Sequence, residues 1–426
     1  MEQSSNSLIS DQSVDEKHSV NDFDADQPIP VPPKKHYIQR DDALYLRVTL
    51  SFFTVGFATF ALLYFVQPIL PLLSEDFNIS PATASLSLSL STGLMALGLL
   101  ITGPISDAIG RKNVMAISLT CAALFTLLSS VMESWQGILI VRALVGLSLS
   151  GVAAVAMTYL SEEIHPSYVA LSMGLYISGN SIGGMSGRLM TGVIADFYSW
   201  RIAVVILGTL ALLAAIGFWR LLPPSQHFRA SSLKPKSLWV NLHLHLRDKG
   251  LPWLFIEGFV LMGGFVTMYN YIGYRLLAEP YNLSQSTVGM LSLIYLTGTY
   301  SATKTGSLTI KYGFGNILIA SLVFMLIGIL LTLHPNIWVI LLGMTALTTG
   351  FFAAHSVASS WVGRRAKRAR GQASSLYLFS YYTGSSVAGT IGGIFWSQYG
   401  WNGVAIFIAA MLLLGAMIAY KLKINC

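Results

Sequence analysis

From about residue 44 onward the chain repeats one pattern, an apolar block of about 20 to 27 residues followed by a short polar joint. A helix rises about 1.5 Å per residue, so a hydrocarbon core of about 30 Å takes about 20 residues to cross, and each block is span-sized. Twelve such helices are predicted, over 47–71, 84–106, 113–132, 136–160, 168–194, 201–222, 252–277, 287–308, 315–333, 336–360, 372–395 and 402–421. Trp135, Trp200, Trp219, Trp253, Trp338, Trp361, Trp396 and Trp401 fall near block ends, where amphipathic rings anchor in the interface; Trp239 sits in a joint. The pattern predicts an all-α polytopic membrane protein.

Composition agrees with this. Of 426 residues, 54% are hydrophobic and 11% charged, against roughly 25% charged in a soluble domain. Residues 1–43 differ, with Asp11, Asp15, Glu16, Asp22, Asp24 and Asp26 among few large apolar residues, then prolines between Pro28 and Pro33 and the pair Lys34, Lys35. This reads as a disordered tail and not a signal peptide, because no apolar stretch follows a basic start.

Lysine and arginine collect on one side of the predicted spans. They stand at Arg111 and Lys112, within 220–249, at Lys311, at Arg364, Arg365, Lys367, Arg368 and Arg370, and at Lys421 and Lys423, whereas the opposite joints hold Arg201 and Arg275. Basic residues are retained in the cytoplasm near span ends, so both termini are expected there, and the formal net charge of +7 reflects that leaflet and calls for no nucleic acid. Cys121 and Cys426 have no partner at disulfide or metal-ligand spacing, and no cofactor or metal is expected.

The long polar stretch over 223–250 divides the blocks six and six. The chain then reads as a tail over 1–43, an amino-terminal bundle over 44–222, a cytoplasmic linker over 223–250 and a carboxy-terminal bundle over 251–426. Leu175, Tyr176, Gly183, Gly192 and Trp200 recur as Leu376, Tyr377, Gly384, Gly393 and Trp401 at one constant offset. Gly103, Gly110 and Asn113 recur as Gly306, Gly313 and Asn316 at nearly the same offset, and a duplicated six-span half explains both sets.

Between spans two and three runs Gly103, Pro104, Ile105, Ser106, Asp107, Ala108, Ile109, Gly110, Arg111, Lys112. The glycines allow a tight turn with positive φ, Asp107 can face a helix N-terminus, and Arg111 can reach a nearby carboxylate. This resembles the signature loop of the major facilitator superfamily, in which glycine, aspartate, glycine and arginine recur at this spacing. The resemblance implies a cytoplasmic latch between two halves, with Asp107 meeting the start of span eleven and Arg111 pairing with Glu162 or Glu163. The matching loop of the second half keeps its glycines but has neither acid nor arginine.

Span four carries Arg142 followed four residues later by Gly146, a pattern similar to a motif of the same family linked to proton coupling. A charge at that depth costs at least about 2.5 kcal/mol by insertion scales, so it needs partners inside the bundle. The alternative is an arginine satisfied by backbone carbonyls that pins neighbouring helices. Span five, from Ser178 to Arg188, looks like the glycine-rich motif of drug:proton antiporters, with Asn180 where those carry proline. In span one, Tyr64, Gln67, Pro68 and Pro71 combine polar groups with helix breakers near the outer end. Together these stretches are similar to the YnfM-type inner-membrane transporters, a branch of the twelve-span drug and sugar efflux group, over nearly all of the chain after the tail.

Two further embedded groups can titrate, Glu257 in span seven and His355 in span ten. With Arg142 they are candidates for proton coupling, and each can equally be structural. Tyr64, Gln67, Tyr176, Asn180, Arg188, Tyr269, Asn270, Tyr271 and Tyr377 are candidates for a substrate cavity. Arg142 and Arg188 lack matching carboxylates in spans one to six, which favours neutral or anionic amphiphiles over lipophilic cations.

The resemblance implies a monomeric secondary transporter of the bacterial inner membrane that moves a small molecule by rocker-switch alternating access. Proton-coupled efflux is expected, with proton-coupled import or facilitation as the alternative. No HExxH, serine elbow or nucleotide-binding loop suggests an enzyme or an ATP-driven pump, and no filter repeat suggests a channel.

Overall fold

The computed structural model describes residues 37–228 and 235–425, except the side chains of Pro104, Asp107, residues 235–238 and residue 425. The acidic tail, as far as residue 36, lies outside the described residues. The described chain starts earlier than the expected boundary at residue 43. Ile38 forms an isolated bridge with Ile164, through its N–H to the Glu163 carbonyl at 2.9 Å and its own carbonyl to the His165 N–H at 3.1 Å. Tyr37 stacks on His227, with ring centroids 5.1 Å apart.

The helices in chain order are α1 (Ala43–Tyr64), α2 (Leu70–Asp76), α3 (Pro81–Ile109), α4 (Arg111–Ser129), α5 (Trp135–Glu163), α6 (Pro166–Phe197) and α7 (Trp200–Leu221). After them come α8 (Pro235–Leu246), α9 (Leu251–Leu277), α10 (Gln285–Met290), a short 3₁₀ turn (Leu291–Ile294), α11 (Tyr295–Tyr312), α12 (Phe314–Leu331), α13 (Ile337–Arg365) and α14 (Arg370–Asn425). Among the described residues nine helices are long and apolar enough to cross a membrane. One of these, α14, covers two predicted spans and leaves helical geometry at Gly400, where φ is +60°. Predicted spans five and eight fall on α6 and on α10 with α11, which carry too many small polar residues to be counted on apolarity.

Three boundaries differ from the expectation. Span one, expected to run to residue 71, ends at Tyr64, because Pro68 and Pro71 interrupt the hydrogen-bond ladder and restart the helix as α2. Span eight is not uniform but passes through the 3₁₀ turn before α11. The linker is not irregular throughout, since α8 occupies 12 of its residues.

Packing repeats across the two halves. α1 lies on α6 as α9 lies on α14, α3 on α5 as α11 on α13, α4 on α5 as α12 on α13, and α4 on α7 as α12 on α14. The halves meet chiefly where α3 packs on α14 and α6 on α10. Small residues build these seams. A Cβ on Gly192 would stand 2.7 Å from the Cα of Gly289, and Gly179, Gly183 and Gly187 of α6 each face backbone atoms of α1. The result is two pseudo-symmetric helical bundles.

The basic end of the molecule carries Arg111, Glu162 and the Arg364 cluster. At the opposite end α1 and α6 finish and α10 begins, and there the halves are sewn together. Gln67 Nε2 donates to Asn270 Oδ1 at 2.7 Å and Gln285 donates to the Pro68 carbonyl. Ser74 and Tyr274 share a hydrogen bond of 2.7 Å, and Ser286 donates to Asp196 at 2.6 Å. This conformation is sealed at that end.

Candidate functional site

The signature loop is helical for most of its length. Gly103 lies inside α3, and of its two glycines Gly110 alone takes a positive φ, +100°, at the joint with α4. The expected tight turn is thus a one-residue hinge, repeated at Gly313 with φ +83°. Arg111 donates from Nη2 and Nε to the two oxygens of Glu162 at 2.9 and 3.2 Å, and from Nη1 to Ser106 Oγ at 2.7 Å. Glu163 does something else. Its buried carboxylate accepts from Ser225 and from the His227 N–H at 2.9 Å, tying the start of the linker to α5. Lys112 stands half-buried beside Arg111. The Asp107 side chain lies outside the described residues.

Arg142 is fully enclosed. Its Nη1 and Nη2 donate to the carbonyls of Leu62 and Leu63 at 2.9 and 2.8 Å, and its Nε donates to the Ser87 carbonyl at 3.0 Å. Leu62 and Leu63 sit in the last turn of α1, where carbonyls have no intrahelical donor and the helix dipole is negative, so Arg142 closes that helix from the side. Arg201 does the same for α4, donating to the carbonyls of Ser130 and Met132 at 3.0 and 2.8 Å. Arg275 serves α12 through the carbonyls of Thr332 and His334.

Arg188 is different. It is 3% exposed, and its Nε donates to Gln67 Oε1 at 2.7 Å while Nη1 donates to the Gly184 carbonyl at 2.6 Å. No acceptor for Nη2 and no carboxylate partner is found among the described residues. Instead the guanidinium lies over the rings of Tyr64, Tyr295 and Tyr269, at 4.7, 4.8 and 5.9 Å from their centroids. The hydroxyls of Tyr64 and Tyr295, the Asn270 Nδ2 and the Gln285 Oε1 are buried there without a protein hydrogen-bond partner. A cavity of about 20 Å³ lies beside Arg188, bounded by Gln67, Tyr269 and Gly289.

From this point an aromatic wall runs into the second half. Tyr295 and Tyr269 each contact Phe265, Phe265 stacks on Phe351 at 3.8 Å, and Phe351 stacks on His355. His355 Nδ1 and the Tyr377 hydroxyl are 2.9 Å apart, and Tyr381 closes on the imidazole at 4.6 Å. Glu257 is wholly buried, and neither carboxylate oxygen has a hydrogen-bond partner. Tyr377 is its electrostatic neighbour, and its Oε2 lies against Gly415.

Not every cavity candidate joins this wall. Tyr64, Gln67, Arg188, Tyr269, Asn270 and Tyr377 do. Tyr271 does not: its hydroxyl donates to the Gly389 carbonyl at 2.6 Å, fixing α9 on α14. Tyr176 and Asn180 press on Gly56 within the α1–α6 seam. Tyr295, Tyr381, Phe265 and Phe351 were not singled out from the sequence. The available signal was a high density of aromatic residues in spans seven, eight, ten and eleven, which periodicity alone does not separate from lipid-facing rings.

Residues 52–301 and 271–424 match the family model of the Major Facilitator Superfamily. Inner membrane transport protein YnfM of Escherichia coli K12 is 62% identical over 386 residues, covering 91% of this chain and 93% of that protein. Uncharacterized MFS-type transporter YybF of Bacillus subtilis 168 is 42% identical over 377 residues, covering 88% and 93%. Of solved structures, a mutant of nucleoside transporter NupG is similar with a TM-score of 0.74 at 15% identity, over 88% of this chain and 99% of that one. The human organic anion transporter MFSD10 is similar with a TM-score of 0.66 at 16% identity, over 88% and 99%; at such identities the likeness is one of fold. A duplicated bundle with glycine-built seams, matched by family model and relatives over most of its length, places the chain among membrane transporters, and it belongs to the major facilitator superfamily.

Proposed function

We propose that this chain is a proton-coupled secondary transporter of the bacterial inner membrane, expelling a small neutral or anionic amphiphile by alternating access. Arg188 with Tyr64, Tyr269 and Tyr295 forms its recognition site. One observation carries this reading. Among the described residues, Arg142 and Arg275 spend their charge on helix C-termini and Arg201 divides its own between a helix C-terminus and Asp76, while Arg188 sits among aromatic faces with no anion beside it. A desolvated cation in low dielectric attracts an anionic group strongly, and the neighbouring orphan hydroxyls give a ligand something to hydrogen-bond. Glu257 is the proposed proton site, because uptake of a proton there removes a charge that nothing nearby balances.

The bundles over 44–222 and 251–426 rock about the α3–α14 and α6–α10 seams. The basic end and both termini face the cytoplasm, Arg111 with Glu162 orders the latch there, and the functional unit is the monomer. The second reading is proton-coupled import, favoured by Asn180 standing where drug:proton antiporters carry proline.

Substrate-stimulated proton flux in proteoliposomes tests the proposal with matched anionic, neutral and cationic aromatic compounds. Anions should stimulate the wild type, and Arg188→Gln should lower that response at least about tenfold, the worth of one charge-assisted contact of about 1.5 to 3 kcal/mol. Stimulation by cations alone, unchanged in Arg188→Gln, would refute it.

A further inference from the structure

At the basic end, far from Arg188, a cavity of about 1160 Å³ opens between α8, the α11–α12 joint and the ends of α13 and α14. Arg364, Arg365, Lys367, Arg368 and Lys423 line it, and the acid on its wall is Asp248, which Arg365 already holds. No carboxylate partner for the other four cations is found among the described residues. The wall also contains His245, 5% exposed, whose Nε2 is buried without a hydrogen-bond partner.

Duplication explains how the charge came to be unbalanced. α5 and α13 are equivalent helices of 29 residues each, so their last two residues correspond, Glu162 and Glu163 in one and Arg364 and Arg365 in the other. In the first half the loop arginine, Arg111, meets the helix-end acid Glu162. In the second half the helix end has become basic and the loop, Gly306 to Asn316, offers no acid in return. The equivalent of an ion pair is thus a group of cations around open space.

The rim is apolar. Ile310 is 89% exposed and Leu244 48% exposed at the cavity wall, and Ile424, next to Lys423, is 63% exposed. Cations beneath exposed aliphatic side chains suit a ligand with an anionic head and hydrocarbon tails. Basic pockets between span ends at the cytoplasmic leaflet recognise lipid headgroups by this chemistry.

We propose that this cavity binds the headgroup of an anionic phospholipid, with the phosphate among Arg364, Lys367, Arg368 and Lys423 and the acyl chains along Ile310 and Ile424. The site is independent of the transport reading.

Native mass spectrometry of the full-length protein measures it, titrating phosphatidylglycerol and phosphatidylethanolamine with identical acyl chains, and inorganic phosphate and glycerol 3-phosphate as competitors. Phosphatidylglycerol should bind at least about tenfold more tightly than phosphatidylethanolamine. Each cation near an anionic headgroup contributes a factor of about five, so the combined variant Arg364→Gln, Lys367→Gln, Arg368→Gln should lose about a hundredfold. A control that removes three charges outside the cavity, Arg220→Gln, Lys311→Gln, Lys421→Gln, should bind as the wild type does. Equal binding of both lipids, or equal loss in both variants, overturns the site. Displacement of the lipid by inorganic phosphate at matching concentration overturns the lipid in favour of a soluble anion.

Discussion

A guanidinium inside a membrane protein is tolerable where its N–H groups find acceptors, and Arg142 finds three carbonyls, two of them at the open end of α1. Arg142→Gln should strand those carbonyls, at about 1 to 3 kcal/mol for each group left unsatisfied. The expected result is a clear fall in apparent melting temperature in detergent, with or without substrate. Arg188→Gln, by contrast, removes a cation that closes no helix, and its melting temperature should stay near that of the wild type. Equal destabilisation by the two changes would contradict the division of labour. The sequence showed the depth of both arginines, and for Arg142 backbone carbonyls as one of two readings, but not which carbonyls or what surrounds Arg188. Those depend on where α1 ends, and the end at Tyr64 is fixed by Pro68 and Pro71 acting with a tertiary neighbour fifty residues or more away.

Asp248 makes a prediction about pH. Burial raises its carboxyl, but the Arg365 guanidinium and the N–H groups of Gly250 and Leu251 outweigh that and hold it below the usual aspartate range. A depressed carboxyl stabilises the fold fully above its unfolded value of about 3.9 and loses that contribution as pH falls through the folded value. Melting temperature should therefore drop more steeply with acidification in the wild type than in Asp248→Asn, read by scanning fluorimetry across that range. Parallel curves would remove the pair from the account.

At the scale of the helices, glycine contacts fall into two classes with different consequences. Gly146 of α5 touches the Ser91 backbone of α3, inside one bundle, so under the proposed rocking motion that contact would be kept throughout. Gly192 and Gly289 meet between the bundles, and their contact exists where the end opposite the basic one is sealed. Gly146→Val should lower expression and stability. Gly192→Val should leave the protein folded and shift it toward the conformation open at that end, seen as longer distances between spin labels on α6 and α10 in double electron-electron resonance. Unchanged distances in a folded Gly192→Val protein would show that the seam does not open there. Element existence was legible because span-length apolarity needs no tertiary knowledge. Gly192 and Gly393 are legible as repeat partners, but no local pattern marks Gly192 as facing Gly289, a residue of the other half.

For the whole molecule, the question is what couples the two ends. The aromatic wall joins Arg188 at the sealed end to His355 and Tyr377, and Tyr377 is the electrostatic neighbour of Glu257, deep in α9. In the proposed alternating-access cycle, moving the bundles would change which end hydrates this line, so a proton on Glu257 and an anion at Arg188 would be loaded or released by the same motion. If Glu257 is the coupling group, a protonophore should abolish gradient-driven transport by the wild type. Glu257→Gln should lose gradient-driven transport yet keep substrate exchange across the membrane, because exchange requires the conformational cycle but no net proton movement. His355→Gln should retain both, with altered apparent affinity, since the imidazole bonds Tyr377 and packs within the aromatic wall. Gradient-driven transport surviving in Glu257→Gln and failing in His355→Gln would move the proton site to the histidine, one hydrogen bond along from Tyr377.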